Sequence, residues 1–408
     1  MNNKSATNKI DITVLNKLQA NWNFPTPIRF GAGTISQLAE VCKELKINKP
    51  LLVTDAGLAE QDFVKAIMQA NVDAGVKTSI FSGVKSNPTG ANVEDGVAAY
   101  KKGQHDGVIA LGGGSALDAG KAIALMVDQN YSLWDFEDIG NNWKRINPQG
   151  IAPVIAVPTT AGTGSEVGRA AVIVDEDSSS KKIIFHPNMM PDVVIEDPEL
   201  SQSLPAHITA ATGIDAFVHN LEAYCALAYH PMADGIALEG MRLIKEWLPV
   251  AFANGNDLVA RSHLLIASSM GATAFQKGLG AIHALAHPLG AVFDKHHGLL
   301  NAILMPYVLL RNKPVIEQKI IHIARYLDLD DVSFNGFMAW IIEFRQNLGI
   351  PNDLAAIDIG LSKKVLIGSL AVQDSCAASN PVQFSAEEYS QIFQCAVKGM
   401  INGDGLCD

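Results

Sequence analysis

From about residue 50 to residue 205, short apolar runs rich in β-branched residues alternate with stretches of helical period. Beyond Pro205 the strand signal fades and helical period takes over. Pro50-Leu-Leu-Val-Thr-Asp55 predicts a buried strand ending in an acid. A helix over 64–74, a strand over 77–81 and a helix over 91–102 that turns Val93, Val97 and Ala98 inward follow it. A strand over 107–111, a small-residue helix over 116–127 and a strand over 152–157 continue the alternation, the pattern of βαβ units in a mainly parallel sheet. The second half predicts helices over 206–224, 230–253, 258–275, 316–327 and 337–348. The stretch 197–205 has the Pro and Ser density of a joint, so the expected division is an α/β domain over 1–204 and an all-helical domain over 205–408.

Composition narrows the function more than the fold. A chain of 408 residues is long for one hydrophobic core, which supports two domains. With 48% hydrophobic and 18% charged residues it has the balance of a packed protein and not of a disordered one. The formal charge of -11, with the basic pairs Lys101-Lys102 and Lys181-Lys182 isolated, argues against a nucleic-acid surface and an anionic membrane partner. Cys42, Cys225, Cys376, Cys395 and Cys407 stand singly with no C-x-x-C pair, so neither a thiolate zinc knot nor a disulfide framework is expected. The first 22 residues hold no apolar core for a secretory signal, and no run is apolar enough to span a bilayer. The expectation is a soluble cytoplasmic protein.

Two loops carry candidate binding chemistry. Gly112-Gly-Gly-Ser-Ala-Leu-Asp118 joins a strand to a helix, where Gly113 and Gly114 let backbone N–H groups approach a phosphate at a helix N-terminus and Ser115 adds a hydroxyl. It is neither G-x-G-x-x-G nor a P-loop, and a tight turn without a ligand is the competing reading. Pro158-Thr-Thr-Ala-Gly-Thr-Gly-Ser165 repeats the arrangement with Thr159, Thr160 and Thr163 as donors, and two such loops after parallel strands point to one crevice. Asp55 could accept from an adenosine ribose and repel a 2'-phosphate, favouring NAD over NADP, or could cap a helix.

A second constellation lies beyond the joint. Asp215 and His219 stand at i and i+4, on one helical face, and His283, His287, His296 and His297 crowd a later stretch. One hard oxygen with up to three imidazole nitrogens suits divalent Fe, Zn, Mn or Ni better than Ca or Mg. The set chosen is Asp215, His219, His283 and His297, with Pro288 and Gly290 expected to break the helix so that His297 can bend back. His287 is left as a fifth ligand or a proton relay, His296 as a surface or supporting residue, and the other histidines as structural.

With these residues in view, the chain resembles the iron-containing (group III) alcohol dehydrogenases. The likeness runs from Phe30-Gly-Ala-Gly33 to Asn380-Pro381 through Val53-Thr-Asp55, Ser86-Asn-Pro88, Gly112-Gly-Gly-Ser115 with Asp118, Pro158-Thr-Thr-Ala-Gly-Thr163, Gly213-Ile-Asp215, Glu222-Ala-Tyr224, Gly280-Ala-Ile-His283, His287-Pro-Leu-Gly290, His297-Gly298 and Asn301-Ala302. The resemblance implies a dinucleotide-binding α/β domain followed by a helical metal-binding domain, in the dehydroquinate-synthase-like architecture. It assigns Fe2+ to Asp215, His219, His283 and His297. It assigns the dinucleotide to Asp55, Asn87, Gly113, Gly114, Ser115, Asp118, Thr159, Thr160, Thr163, Lys181 and Leu200, with His287 facing nicotinamide and substrate. The implied reaction is reversible hydride transfer between an alcohol and NAD in a homo-oligomer, dimer or larger. A dehydroquinate-synthase-like lyase, a zinc polyol dehydrogenase of the glycerol type and a non-catalytic NAD sensor are the alternatives. The loop Asp374-Ser-Cys-Ala-Ala-Ser-Asn-Pro381 resembles that family's late cysteine-bearing segment, with Val382 standing where a basic residue is frequent.

Overall fold

The computed structural model describes residues 20–22, 26–178 and 180–401; most of the N-terminal segment read for a signal, and Cys407, lie outside them. The first half is a seven-stranded sheet built from β1 (Ala20–Trp22), β2 (Ile28–Phe30), β3 (Pro50–Asp55), β4 (Ser79–Val84), β5 (Gly107–Gly112), β6 (Val154–Pro158) and β9 (Val193–Glu196). Its order is β1-β2-β9-β6-β5-β3-β4, and only the β1–β2 pair is antiparallel. Both faces are covered, so β3, β5 and β6 are buried almost throughout and their sequences show no polar alternation. The two-residue period instead sorts the apolar side chains. Leu52, Ile109, Ile155 and Ile195 pack with Leu38, Val41, Val64 and Ile67 of helices Leu38–Glu44 and Asp62–Asp73. Leu51, Val53, Val108, Ala110 and Val154 pack with Val93, Leu117 and Ile123 of helices Gly90–Gly103 and Gly114–Met126.

From β3 the chain steps outward to β4 and then returns to β5 on the other side of β3. That reversal opens a crevice at the carboxyl ends of β3 and β5, where Asp55 and Gly112 stand. Two elements missed by the sequence reading, β7 (Ala170–Asp175) and β8 (Ser180–Phe185), form a separate antiparallel hairpin that brings Lys181 toward the second half. The strand expected over 77–81 is β4, which begins two residues later, after Lys77 N–H has bonded to the carbonyl of Asn48 and Thr78 N–H to that of Val76.

The second half is helical and shares one apolar core. Its centre is the helix Ala206–Cys225, buried from Thr209 to its end and flanked by helices Pro231–Ala253 and Leu258–Ala274. Lys319 Nζ donates to the carbonyls of Tyr224, Cys225 and Ala226, placing a cation on the negative end of that helix. The helix expected over 316–327 is the last part of a continuous helix, His297–Tyr326, that passes through Pro306 and Pro314. Pro306 has no N–H for the carbonyl of Ala302, and the buried guanidinium of Arg345 supplies one, donating to Ala302 at 2.8 Å and Ile303 at 3.0 Å.

Two expectations are corrected. Pro288 and Gly290 do not break their helix, which runs Ala281–Phe293; the chain reverses at Asp294, in the left-handed region at φ 49°, and restarts at His297. Cys42, Cys225 and Cys376 are free and buried, but Cys395 is disulfide-bonded, which spacing alone gave no hint of. Among the described residues no helix is long and apolar enough to cross a membrane.

Candidate active site

Asp215 and His219, one turn apart on the buried 206–225 helix, face the 281–293 helix that carries His283. One donor atom each from Asp215, His219 and His283 lie within 4.8 Å of one another, and all three residues are buried. The reversal at Asp294 brings the fourth residue back: His297 Nε2 lies 3.8 Å from Asp215 Oδ1, about as close as His283 Nε2 at 3.9 Å. The rings of His219 and His283 stack with centroids 4.6 Å apart, and His297 lies tilted against His283 at 5.3 Å. Asp215, His219, His283 and His297 therefore converge, through a turn other than the one expected.

Three of the ligand candidates are held by a neighbouring group, whereas His297 Nδ1 is buried with no hydrogen-bond partner among the described residues. His219 Nδ1 donates to the carbonyl of Gly162 at 3.2 Å, and His283 Nδ1 to Glu222 Oε2 at 2.7 Å, which leaves both Nε2 atoms as acceptors. Glu222 also accepts the backbone N–H groups of Gly280 and Ile282 at 3.0 and 2.8 Å, so one carboxylate caps the 281–293 helix and aims its histidine. Asn301 Nδ2 donates to Asp215 Oδ1 at 2.7 Å and sits 3.1 Å from the Nε2 atoms of His283 and His297. Burial drives His219 down to about 4, and burial with the neighbouring cations holds His297 well below the ordinary imidazole value. Burial opposes protonation of His283 too, but Glu222 and Asp215 outweigh it and raise its pKa. His219 and His297 are thus held neutral beside a carboxylate, as a divalent cation requires, and a cation at the site would displace the proton that Glu222 and Asp215 favour on His283.

The two loops touch. A Cβ on Gly114 would overlap the side chain of Thr163, and one on Gly113 would meet Thr160 in ordinary contact at 3.4 Å. The N–H of Thr159 donates to the carbonyl of Gly112 at 2.9 Å. Gly164, at φ 61°, lets the second loop press against Ser268 and Ala272 of the 258–274 helix, so the loop lies between the sheet and the helical half. Ser115 Oγ donates to the carbonyl of Ser86 at 2.5 Å. Asp55 Oδ1 caps the short helix after β3 by accepting from Leu58 N at 2.9 Å, the competing reading raised for it. Asp118 serves as a brace, accepting from Ser165 and from Val172 N at 2.9 Å beside Lys121 Nζ at 3.2 Å. Leu200 is buried among the apolar residues beneath the sheet.

Contacts across the two halves gather here. Asn87 Nδ2 donates to Asp294 Oδ1 at 2.7 Å. Lys182 is committed to Asp175 at 2.9 Å and Glu137 at 3.6 Å, whereas Lys181 lies toward Gly290 and the carboxylates of Asp118, Asp215, Asp294 and Asp374, its pKa lowered by burial. His287 stacks on His297 with centroids 5.2 Å apart, and its Nδ1 donates to Asp374 Oδ2 at 2.8 Å. Glu222, Asn301 and Asp374 had no assigned role in the sequence reading. Glu222 could have been found, since it lies on the same helical stripe as Asp215 and His219; Asp374 opens a segment that the resemblance singles out, but nothing in the sequence ties its carboxylate to His287.

The family model described as iron-containing alcohol dehydrogenase matches residues 25–198, and the one described as the Fe-containing alcohol dehydrogenase family, C-terminal, matches 209–397. The chain is 37% identical to a 4-hydroxybutyrate dehydrogenase of Cupriavidus necator, over 90% of this chain and 97% of that protein. It is 32% identical to an NAD-dependent methanol dehydrogenase of Bacillus methanolicus, over 92% and 100%. The solved structure of a 1,3-propanediol oxidoreductase superposes with a TM-score of 0.86 at 34% identity, over 93% and 99% of the two chains. The chain belongs to the iron-containing alcohol dehydrogenase family and is an alcohol oxidoreductase.

Proposed function

We propose that Asp215, His219, His283 and His297 hold one divalent cation, iron in the first instance with zinc, manganese and nickel as other occupants the donor set admits. The observation that carries this is the convergence of three buried donors within 4.8 Å, with a fourth 3.8 Å from the shared carboxylate. We further propose that Asp55, Asn87, Gly113, Gly114, Ser115, Thr159, Thr160, Thr163, Lys181 and Leu200 line an NAD site in the crevice, with Asp118 bracing it from behind. The division at 204/205 separates the two functions. A cytoplasmic homo-oligomer acting on a small alcohol or aldehyde is the working assignment.

When bound, the cation supplies Lewis acidity to the substrate oxygen and the dinucleotide supplies the hydride acceptor or donor. The chain's residues do the rest. Backbone N–H groups from Gly113 onward and the Lys181 cation meet the phosphates. Asp55, one oxygen already capping a helix, offers the other to a ribose hydroxyl and disfavours a 2'-phosphate, which supports NAD over NADP. Gly162 and Glu222 take the Nδ1–H of His219 and His283 and so aim each Nε2 at the cation site. His287 accepts a hydrogen bond from the reacting hydroxyl or a ribose hydroxyl and passes its proton outward.

The test is reconstitution. Chelator-stripped protein restored with iron, zinc, manganese or nickel is assayed by reduced-nicotinamide absorbance with methanol, 1,3-propanediol, 1-butanol and 4-hydroxybutyrate, using NAD and NADP. Metal-dependent net reduction of NAD, stronger than of NADP, is the expected result. Equal rates in stripped and restored protein overturn the metal assignment, and absence of net reduction favours the lyase alternative.

A further inference from the structure

We infer that Asp374 is a positioning residue that fixes the ring of His287, holding Nδ1 protonated so that Nε2 is the only acceptor the imidazole presents. This rests on the role proposed for His287. Asp374 Oδ2 receives the His287 Nδ1–H at 2.8 Å, with both side chains about nine-tenths buried. The carboxylate is itself fixed: Oδ1 accepts the backbone N–H of Cys376 at 2.9 Å and so caps the turn Ser375–Ser379. The far end of that turn is tied to the same histidine-bearing helix, because Asn380 Oδ1 accepts from Ala281 N at 3.0 Å while its amide pairs with Asn312 at 2.9 Å. The segment 374–380 is thus pinned to the 281–293 helix at both ends, and its first side chain reaches His287. Burial raises a carboxylate's pKa, yet the charge of His287 and the hydrogen bonds from His287 and Cys376 outweigh it and keep Asp374 below its usual range, as an acceptor. An imidazole whose Nδ1–H is taken by a fixed carboxylate has one tautomer available.

The substitution Asp374→Asn separates this role from a structural one. Asparagine caps helical turns as well as aspartate, so the bond from Cys376 N survives. Its NH2 group, facing Nδ1, demands an acceptor there and moves the ring proton to Nε2. In zinc-loaded protein with 15N-histidine, assigned by loss of the His287→Ala signal, the wild type is expected to show Nδ1–H at His287 and Asp374→Asn to show Nε2–H. With the best alcohol found by reconstitution, kcat/KM is expected to fall about tenfold to a hundredfold in Asp374→Asn, with KM for NAD and metal content unchanged. In a His287→Ala background the second substitution should change nothing further. An unchanged tautomer, or an Asp374→Asn loss that persists in full without His287, overturns the inference. Wild-type activity in His287→Ala overturns the proton role of His287 instead, and the nitrogen spectra still decide whether Asp374 sets the ring.

Discussion

The helical half presents chemistry through side chains, and the α/β half presents it through backbone. Asp215, His219, His283 and His297 project from helices, and the first three are braced by Asn301, the Gly162 carbonyl and Glu222 respectively. The glycine and hydroxyl loops present N–H groups and carbonyls, and their glycines other than Gly113 are sites where a neighbouring group leaves no room for a Cβ. The two halves should therefore fail differently: one by losing a side chain, the other by gaining one.

The largest effect is expected at the side-chain half. His219→Ala should lower kcat by at least about a thousandfold, the scale of Lewis-acid assistance worth several kcal/mol. Bound metal should fall below a tenth of the wild-type content by elemental analysis, while NAD affinity by titration calorimetry stays near wild type. Loss of both ligands together would erase the distinction between the halves. Gly114→Ala should do the converse. Overpacking against Thr163 costs about 1–3 kcal/mol, so dinucleotide affinity should weaken about tenfold or more with metal content intact, and adding Thr163→Ala should restore the melting temperature. A Gly114→Ala protein with wild-type affinity would mean that the loops do not carry the phosphates.

Glu222→Gln comes next. The amide can still accept from one backbone N–H but no longer holds His283 as a carboxylate does, and metal affinity by chelator competition should drop about tenfold to a hundredfold. Unaltered affinity would show that the helix alone aims the imidazole.

The smallest effect lies on the seam between the halves. Ser269 Oγ, on the 258–274 helix, contacts Glu166 Oε1 at 2.8 Å and Glu196 Oε1 at 2.5 Å, and all three residues are buried. One hydroxyl proton cannot serve both contacts, so one carboxyl carries a proton of its own. Burial, and then the charge of Glu166, push Glu196 up to about 8 from an ordinary 4.5. The folded state therefore holds a proton that the unfolded chain releases at lower pH, and stability falls as pH rises from about 4.5 through about 8. Urea midpoints should decline over that window in the wild type and stay flatter in Glu196→Gln; parallel profiles would remove the shared proton.

Much of this was legible in the sequence. The buried strands and glycine loops announced the sheet, since β3, β5 and β6 are short apolar runs ended by an acid or turn residues. The i, i+4 pair Asp215 and His219 and the later histidines marked the second site. What was hidden depends on distant partners. Pro306 passes through a helix because Arg345, far along the chain, takes the carbonyl it leaves, and Pro288 likewise sits inside a helix whose surroundings are fully packed. The true reversal at Asp294 is a single residue in the left-handed region, an acid that sequence period does not distinguish from any other. Asp374 pairs with a histidine 87 residues away, beyond the reach of any local pattern.

The central claim is that one carboxylate and three imidazoles share a single ion. X-ray absorption at the metal edge of protein loaded with one equivalent of zinc, and again with iron, tests it most directly. The account expects three imidazole scatterers and one carboxylate oxygen in the first shell of one ion per chain, with one imidazole lost in His297→Ala. A first shell without imidazole, sulfur from Cys376, or an unchanged shell after removal of His297 would contradict it.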